Sequence, residues 1–184
     1  QRIGIAATVL AGSAVVLWLM GRTPWGAASG PGLWTGDPRG GLTSQLLFDP
    51  YSLTHVSHGL LFFYLFAVAL ARYSREVQFS TALVLEAVWE IVENTPYVID
   101  RFRQTTAATE YTGDSILNSL GDILSAVIGF AIAVQVVKHT RRGWVLLLFL
   151  AAEGISALWI RDGMLLTTLM LVYPIPEIRQ WQAG

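Results

Sequence analysis

The chain has no cysteine, few charges and no nucleotide-binding loop, and each absence narrows what it can be. With no cysteine among 184 residues there is no disulfide, no thiolate metal site and no cysteine nucleophile. Charged residues make up 14% of the chain, against about 25% in an average soluble domain. Lysine and arginine number 12 against 13 acidic residues, for a net charge of −1. No basic face is available to neutralise phosphates, which argues against nucleic acid as a partner. Neither Gly-x-x-x-x-Gly-Lys nor a Gly-x-Ser-x-Gly elbow occurs.

What remains is apolar: 53% of the residues are hydrophobic, and the mean hydropathy is +0.51. Five runs read as membrane spans: Ile3–Gly21, Leu53–Ala71, Val77–Thr95, Asp114–Val137 and Gly143–Ile160. Met164–Tyr173 is apolar but too short to cross. The expected fold is therefore an all-α membrane protein. It is a bundle of five transmembrane helices plus a short C-terminal re-entrant or half-helix, in one domain over residues 1–184. The first run lacks an Ala-x-Ala cleavage pattern and reads as a retained anchor. Arg22–Leu53, rich in Gly and Pro, reads as a loop, with Ser52 or Thr54 as N-cap of the helix after it. Pro96 is expected to end the third span, Tyr97–Gly113 to lie in the interface, and Glu177–Gly184 to be a polar tail.

The basic turns Arg72/Arg75 and Lys138/Arg141/Arg142 both follow even-numbered spans and share a side with Arg2. The positive-inside rule puts that side, and the N-terminus, in the cytoplasm of a bacterial inner membrane. The opposite, periplasmic side then receives most of the buried polar chemistry. Glu86, Glu90 and Glu93 fall at i, i+4, i+7, one stripe of a helix. A carboxylate at the bilayer centre costs about 2.5–3.5 kcal/mol on insertion scales, so such groups need partners. His55 and His58 open the second span, and Asp114, Asn118 and Asp122 line the start of the fourth. All three polar stripes thus meet at one depth.

These residue types suit a Zn, Fe or Mn site held by His55, His58, Glu90 and Asp122. Glu86 or Glu93 would act as general base. Arg101 and Arg103, with Asp114 and Asn118, would contact an anionic lipid substrate. Plainer roles stand beside these. The stripe also suits polar glue between helices, Asp114 a helix N-cap, and the arginines interfacial anchors. Glu153 either joins the cluster or pairs with Arg161 or a serine, while His139 lies on the far side. Gly121, Ser125 and Gly129 form a small-xxx-small row suited to close helix packing.

Several motifs run through nearly the whole chain. They are Phe48-Asp49-Pro50-Tyr51-Ser52, His55-Val-Ser-His58-Gly59, Glu86-x-x-Trp89-Glu90-x-x-Glu93-Asn94, Asp100-Arg101, Gly113-Asp114-Ser115-x-x-Asn118-Ser119-x-Gly121-Asp122 and Arg161-Asp162…Pro174…Trp181-Gln182. Together they resemble a family of alphaproteobacterial inner-membrane proteins described as a domain of unknown function. The resemblance implies that location and no particular activity. A looser likeness, in residue types only, is to VanZ-like membrane proteins.

Two functions follow as expectations. One is a metal-dependent hydrolase or transferase acting on a lipid or lipid-linked molecule. The alternative is a non-enzymatic accessory subunit of a larger membrane complex. Proton or ion passage along the acidic stripe is the weaker third, because the polar groups thin out toward the cytoplasmic ends of spans two and four.

Overall fold

The computed structural model describes residues 2–26 and 30–184, without the side chains of Arg2 and Ile3. The charge read at Arg2, and the part of the loop at 27–29, lie outside the described residues. Among these residues there are eight helices and no strand beyond one isolated bridge, Trp34 with Phe48. They are α1 (Arg2–Leu19), α2 (Ser52–Ala69), α3 (Arg75–Glu93), α4 (Pro96–Thr105), α5 (Ile116–His139), α6 (Gly143–Trp159), α7 (Met164–Val172) and α8 (Pro176–Ala183).

The all-helical expectation holds, but five spans do not. Two helices are long and apolar enough to cross a membrane, α2 and α5. A third crossing arises only if α6 and α7, bent by 73° at their junction, count as one span. The apolar part of α1, Gly4–Leu19, is too short. α3 carries Arg75 and Glu76 as well as the three glutamates of the stripe, too many charges for an apolar crossing. Much apolar surface still faces outward, with Leu158 87%, Val172 78% and Leu19 74% exposed.

α2 and α5 form the centre, and glycine sets how closely they meet. A Cβ on Gly59 would lie 2.0 Å from the Ala126 carbonyl oxygen, and one on Gly129 2.1 Å from that of Val56. One on Gly121 would lie 1.7 Å from the carbonyl oxygen of Leu47, just before α2. The small-residue row therefore works as expected, by letting backbones touch. Around this pair, Leu60, Phe63 and Ala67 of α2 pack with Ala82 of α3, Phe130 and Ala133 of α5, and Val145 and Phe149 of α6. α1 lays Ile5, Ala6, Val9 and Leu10 against Leu83, Ala87 and Ile123.

Helix ends are where the sequence misleads. Pro96 does not merely stop α3. It opens α4 at the first helical position, where its missing N–H costs nothing, and Pro176 opens α8 in the same way. α2 begins at Ser52, and neither Ser52 nor Thr54 is its N-cap. The N-cap position is Tyr51, without a side-chain cap, and Asp49 ties the turn before it, accepting from Tyr51 N at 2.7 Å while Ser52 Oγ accepts from Asp49 N at 3.1 Å. Nor does Asp114 cap α5: Ser115 does, accepting from Asn118 N at 3.2 Å. The first loop is not idle. The carbonyls of Thr23 and Pro24 take the N–H groups of Ile116 and Leu117 at 2.8 and 3.0 Å, which would otherwise be orphans of the α5 N-terminus.

Glu153 is used at the bend between α6 and α7. Its carboxylate accepts from Met164 N at 3.3 Å and Leu165 N at 2.8 Å, and so caps α7 across the bend. Glu153→Ala is expected to cost about 1 kcal/mol locally, the usual worth of a cap. Amide exchange at Leu165 should then quicken about fivefold; an unchanged rate would deny the cap its role.

Candidate metal centre

The polar layer is assembled from the start of α2, the end of α3 and the start of α5. α2 presents His55 and His58 one turn apart; both Nδ1 atoms turn to Glu86 on α3. His55 Nδ1 lies 2.7 Å from Glu86 Oε1, and His58 Nδ1 lies 3.0 and 2.9 Å from Oε1 and Oε2. The hydrogen bonds assign the tautomers: each Nδ1 donates to the carboxylate, leaving each Nε2 as a lone-pair donor. His55 Nε2 is 3.8 Å from Asp122 Oδ2 on α5. Asp122 Oδ1 in turn accepts from Ser52 Oγ at 3.0 Å.

Glu90, one turn beyond Glu86, is different. It is 0% exposed, and neither carboxylate oxygen has a hydrogen bond. His55 Nδ1 is 3.3 Å from Glu90 Oε1, but its proton is directed to Glu86. A buried carboxylate without a partner costs several kcal/mol. Glu93, half-buried, completes the stripe. Ligand atoms of His55, His58 and Glu86 lie within 4.8 Å of one another, and so do those of His55, Glu90 and Glu93.

Charge is out of balance here. Glu86, Glu90, Asp49, Asp114 and Asp122 are all buried. Among the described residues their ion-pair partners are only His55 and His58. Burial pushes the Asp49 carboxyl above its usual value, although the N–H groups of Ser44 and Tyr51 pull it back. Burial, and then the Asp114 carboxylate, push the Tyr111 hydroxyl well above its usual value.

The donor atoms gathered here could hold a divalent cation. Bonds of 2.0–2.2 Å place tetrahedral ligand atoms about 3.4 Å apart, close to the 3.8 Å between His55 Nε2, its unprotonated nitrogen, and Asp122 Oδ2. The donors are imidazole nitrogens and carboxylate oxygens, the set used by Zn, Fe and Mn. Glu90 supplies the buried atoms that lack any other partner.

The remaining expected site residues are spent on structure. Asn118 Nδ2 donates to the Leu46 carbonyl at 2.8 Å. Asp114 Oδ2 accepts from Asn94 Nδ2 at 2.9 Å and from Tyr111 Oη at 3.0 Å, and its own N–H donates to Asn94 Oδ1 at 2.8 Å. Arg101 Nε holds the Leu171 carbonyl at 2.8 Å, and Arg103 Nε that of Tyr111 at 2.6 Å. Residues not expected at the site are Asp49, Ser52, Asn94 and Tyr111. Asp49 was detectable, since Asp-Pro-x-Ser ahead of an apolar run is a turn that leads into a helix.

Comparison with known proteins agrees with the motif pattern. Residues 17–184 match the family described as "Protein of unknown function (DUF2585)". A "UPF0314 protein" of Sphingopyxis alaskensis is 38% identical over 181 residues, covering 98% of this chain and 94% of the relative. One of Brucella anthropi is 37% identical over 188 residues, covering 100% and 93%. One of Paracoccus denitrificans is 36% identical over 180 residues, covering 97% and 91%. No solved structure matches. The chain therefore belongs to the uncharacterised DUF2585 family, with UPF0314 relatives in alphaproteobacteria.

Proposed function

We propose that this protein is an inner-membrane, metal-dependent hydrolase or transferase acting on a lipid or lipid-linked ester or phosphoester at the periplasmic side. The observation that carries the proposal is Glu90, fully buried beside His55 with both oxygens unpartnered. Polar glue would pair its own groups, whereas Glu90 is left as a ligand is left before its ion binds.

His55, His58, Glu90 and Asp122 would hold the ion. Glu86 would fix both imidazoles from behind, the usual carboxylate–histidine support of a metal ligand. A divalent ion there would supply Lewis acidity toward an ester or phosphoester. This assigns the base to Glu93 rather than Glu86. Glu86 is occupied by both histidines, whereas Glu93 is half-buried and, among the described residues, held only by the Trp89 side chain. Glu93 would take the proton of the attacking water or alcohol and return it to the leaving group. Arg101, anchored through Nε, would present its terminal nitrogens to an anionic head group, whereas Arg103 Nη1 pairs with Asp100 at 3.7 Å.

The test is turnover of phospholipid or a lipid-linked phosphoester by the purified protein in vesicles with added Zn, Fe or Mn. Glu93→Gln is expected to lower the rate by about 10²–10⁴, the worth of a general base. Its metal content should be unchanged. Equal rates in wild type and E93Q would remove the base, and no turnover with any metal would remove the enzyme in favour of an accessory subunit.

A further inference from the structure

Directly beneath Glu86, on the side away from the α2 N-terminus, lies an apolar crevice. Gly59 and Phe62 of α2, Ala82 and Leu83 of α3, and Ala126 and Val127 of α5 form its walls, with about 10 Å³ of free volume. Beyond it is a cavity of about 310 Å³ between α1, α3 and α5, with Ala6, Ala131 and Val134 on its walls and Arg75 and Gln135 at its far end. Phe79 and Phe130 line both spaces and stand between them, edge to face with centroids 5.5 Å apart.

We infer that this pair of cavities is the slot for one hydrocarbon tail of the substrate lipid, with its head group at the metal centre. The inference rests on the function proposed above. Between Glu86 and the far end no polar side chain lines the path, so only hydrocarbon can lie there without losing hydrogen bonds. The length suits a tail. Glu86 to Arg75 spans eleven helical residues, about 16 Å, close to half of a hydrocarbon core of about 30 Å. The larger cavity reaches the size at which small-molecule sites begin, about 300 Å³.

The upper crevice is nearly closed, so a tail entering it must part Phe79 from Phe130. The slot also reaches the histidines: Phe62, on its wall, lies 6.0 Å from the ring of His58. A tail in the crevice presses on Phe62 and through it on a metal ligand. Head and tail are thereby read together, and a lipid is selected over a water-soluble ester.

The experiment uses full-length protein in phosphatidylglycerol nanodiscs doped with phosphatidylglycerol bearing a terminal diazirine on one palmitoyl chain. After irradiation, labelled peptides are located by mass spectrometry, and bound metal is measured on the same preparations. Wild type is expected to be labelled at Leu83, Val127 and Val134 as well as on the outer face at Leu158. Ala82→Phe fills the crevice and is expected to cut labelling at Leu83 and Val127 at least fivefold, with Leu158 unchanged. Phe79→Ala, which removes a ring and needs no new space, is expected to raise labelling at Leu83. Labelling confined to outer faces, or slot labelling that neither variant changes, would overturn the slot. Metal bound without slot labelling sinks the slot alone; slot labelling without metal sinks the metal centre and leaves the slot as a lipid site.

Discussion

Glu90→Gln is expected to stabilise the chelator-treated protein and to destabilise the metal-loaded one. The two signs come from one cause. Without an ion, Glu90 is a buried acid with no hydrogen bond to either oxygen. Glutamine leaves a buried amide without partners but takes away the buried negative charge, whose desolvation is the larger cost, several kcal/mol. Glutamine keeps the volume, so no cavity opens. With an ion present the same change deletes a ligand, and the stabilisation by bound metal is lost with it. A chain of this size shifts its Tm by about 2–4 °C per kcal/mol, so melting curves with and without chelator resolve both signs. A purely structural Glu90, satisfied by its neighbours, would be destabilised by the substitution in both conditions.

Gly121→Val should do far more damage, and without reference to metal. Its first added carbon would stand 1.7 Å from the backbone oxygen of Leu47, so α5 and the entry to α2 must move apart. Overpacking in a close-packed interior costs about 1–3 kcal/mol and sometimes more. A clash against backbone rather than a flexible side chain belongs at the top of that range. The drop in Tm is then about 6–12 °C. The site should suffer too, because Asp122 and Ser52 are hydrogen-bonded across this junction. Gly12→Val on α1 is the control, since nothing lies within 4 Å of its added carbon. Equal melting temperatures for the two variants would show that the close approach is not real.

The stripe Glu86, Glu90, Glu93 was legible in the sequence because a 3.6-residue period is read directly from spacing. The side it shares with His55, His58 and Asp122 followed from counting spans and basic turns. The structure does bring these residues together, with Arg142 of the second basic turn at the other end of α2, donating to the Ala67 carbonyl at 3.1 Å, but the five spans behind the count do not hold. The number of spans was not legible. α3 has membrane length and a hydrophobic middle, yet its charges disqualify it as an apolar crossing.

Other misses are local contests that composition cannot decide. Gly113-Asp114-Ser115 offers two adjacent capping side chains. Ser115 takes the helix, and Asp114 is left to Asn94 and Tyr111. Proline after Asn94-Thr95 reads equally as a stop or a start, and here it starts α4. The division of labour among the acids was hidden for a different reason. It depends on where imidazole protons point, which spacing along a helix does not record. Glu86 is saturated, Glu90 orphaned and Glu93 half-buried beside Trp89, although all three are the same residue type on one stripe.

The most direct measurement is elemental analysis of wild type and E90Q, purified in parallel without chelator and repeated after incubation with Zn, Fe or Mn. The account predicts a stoichiometric divalent ion on wild type that is absent from E90Q. No ion above background on wild type, or the same content on both proteins, would contradict it.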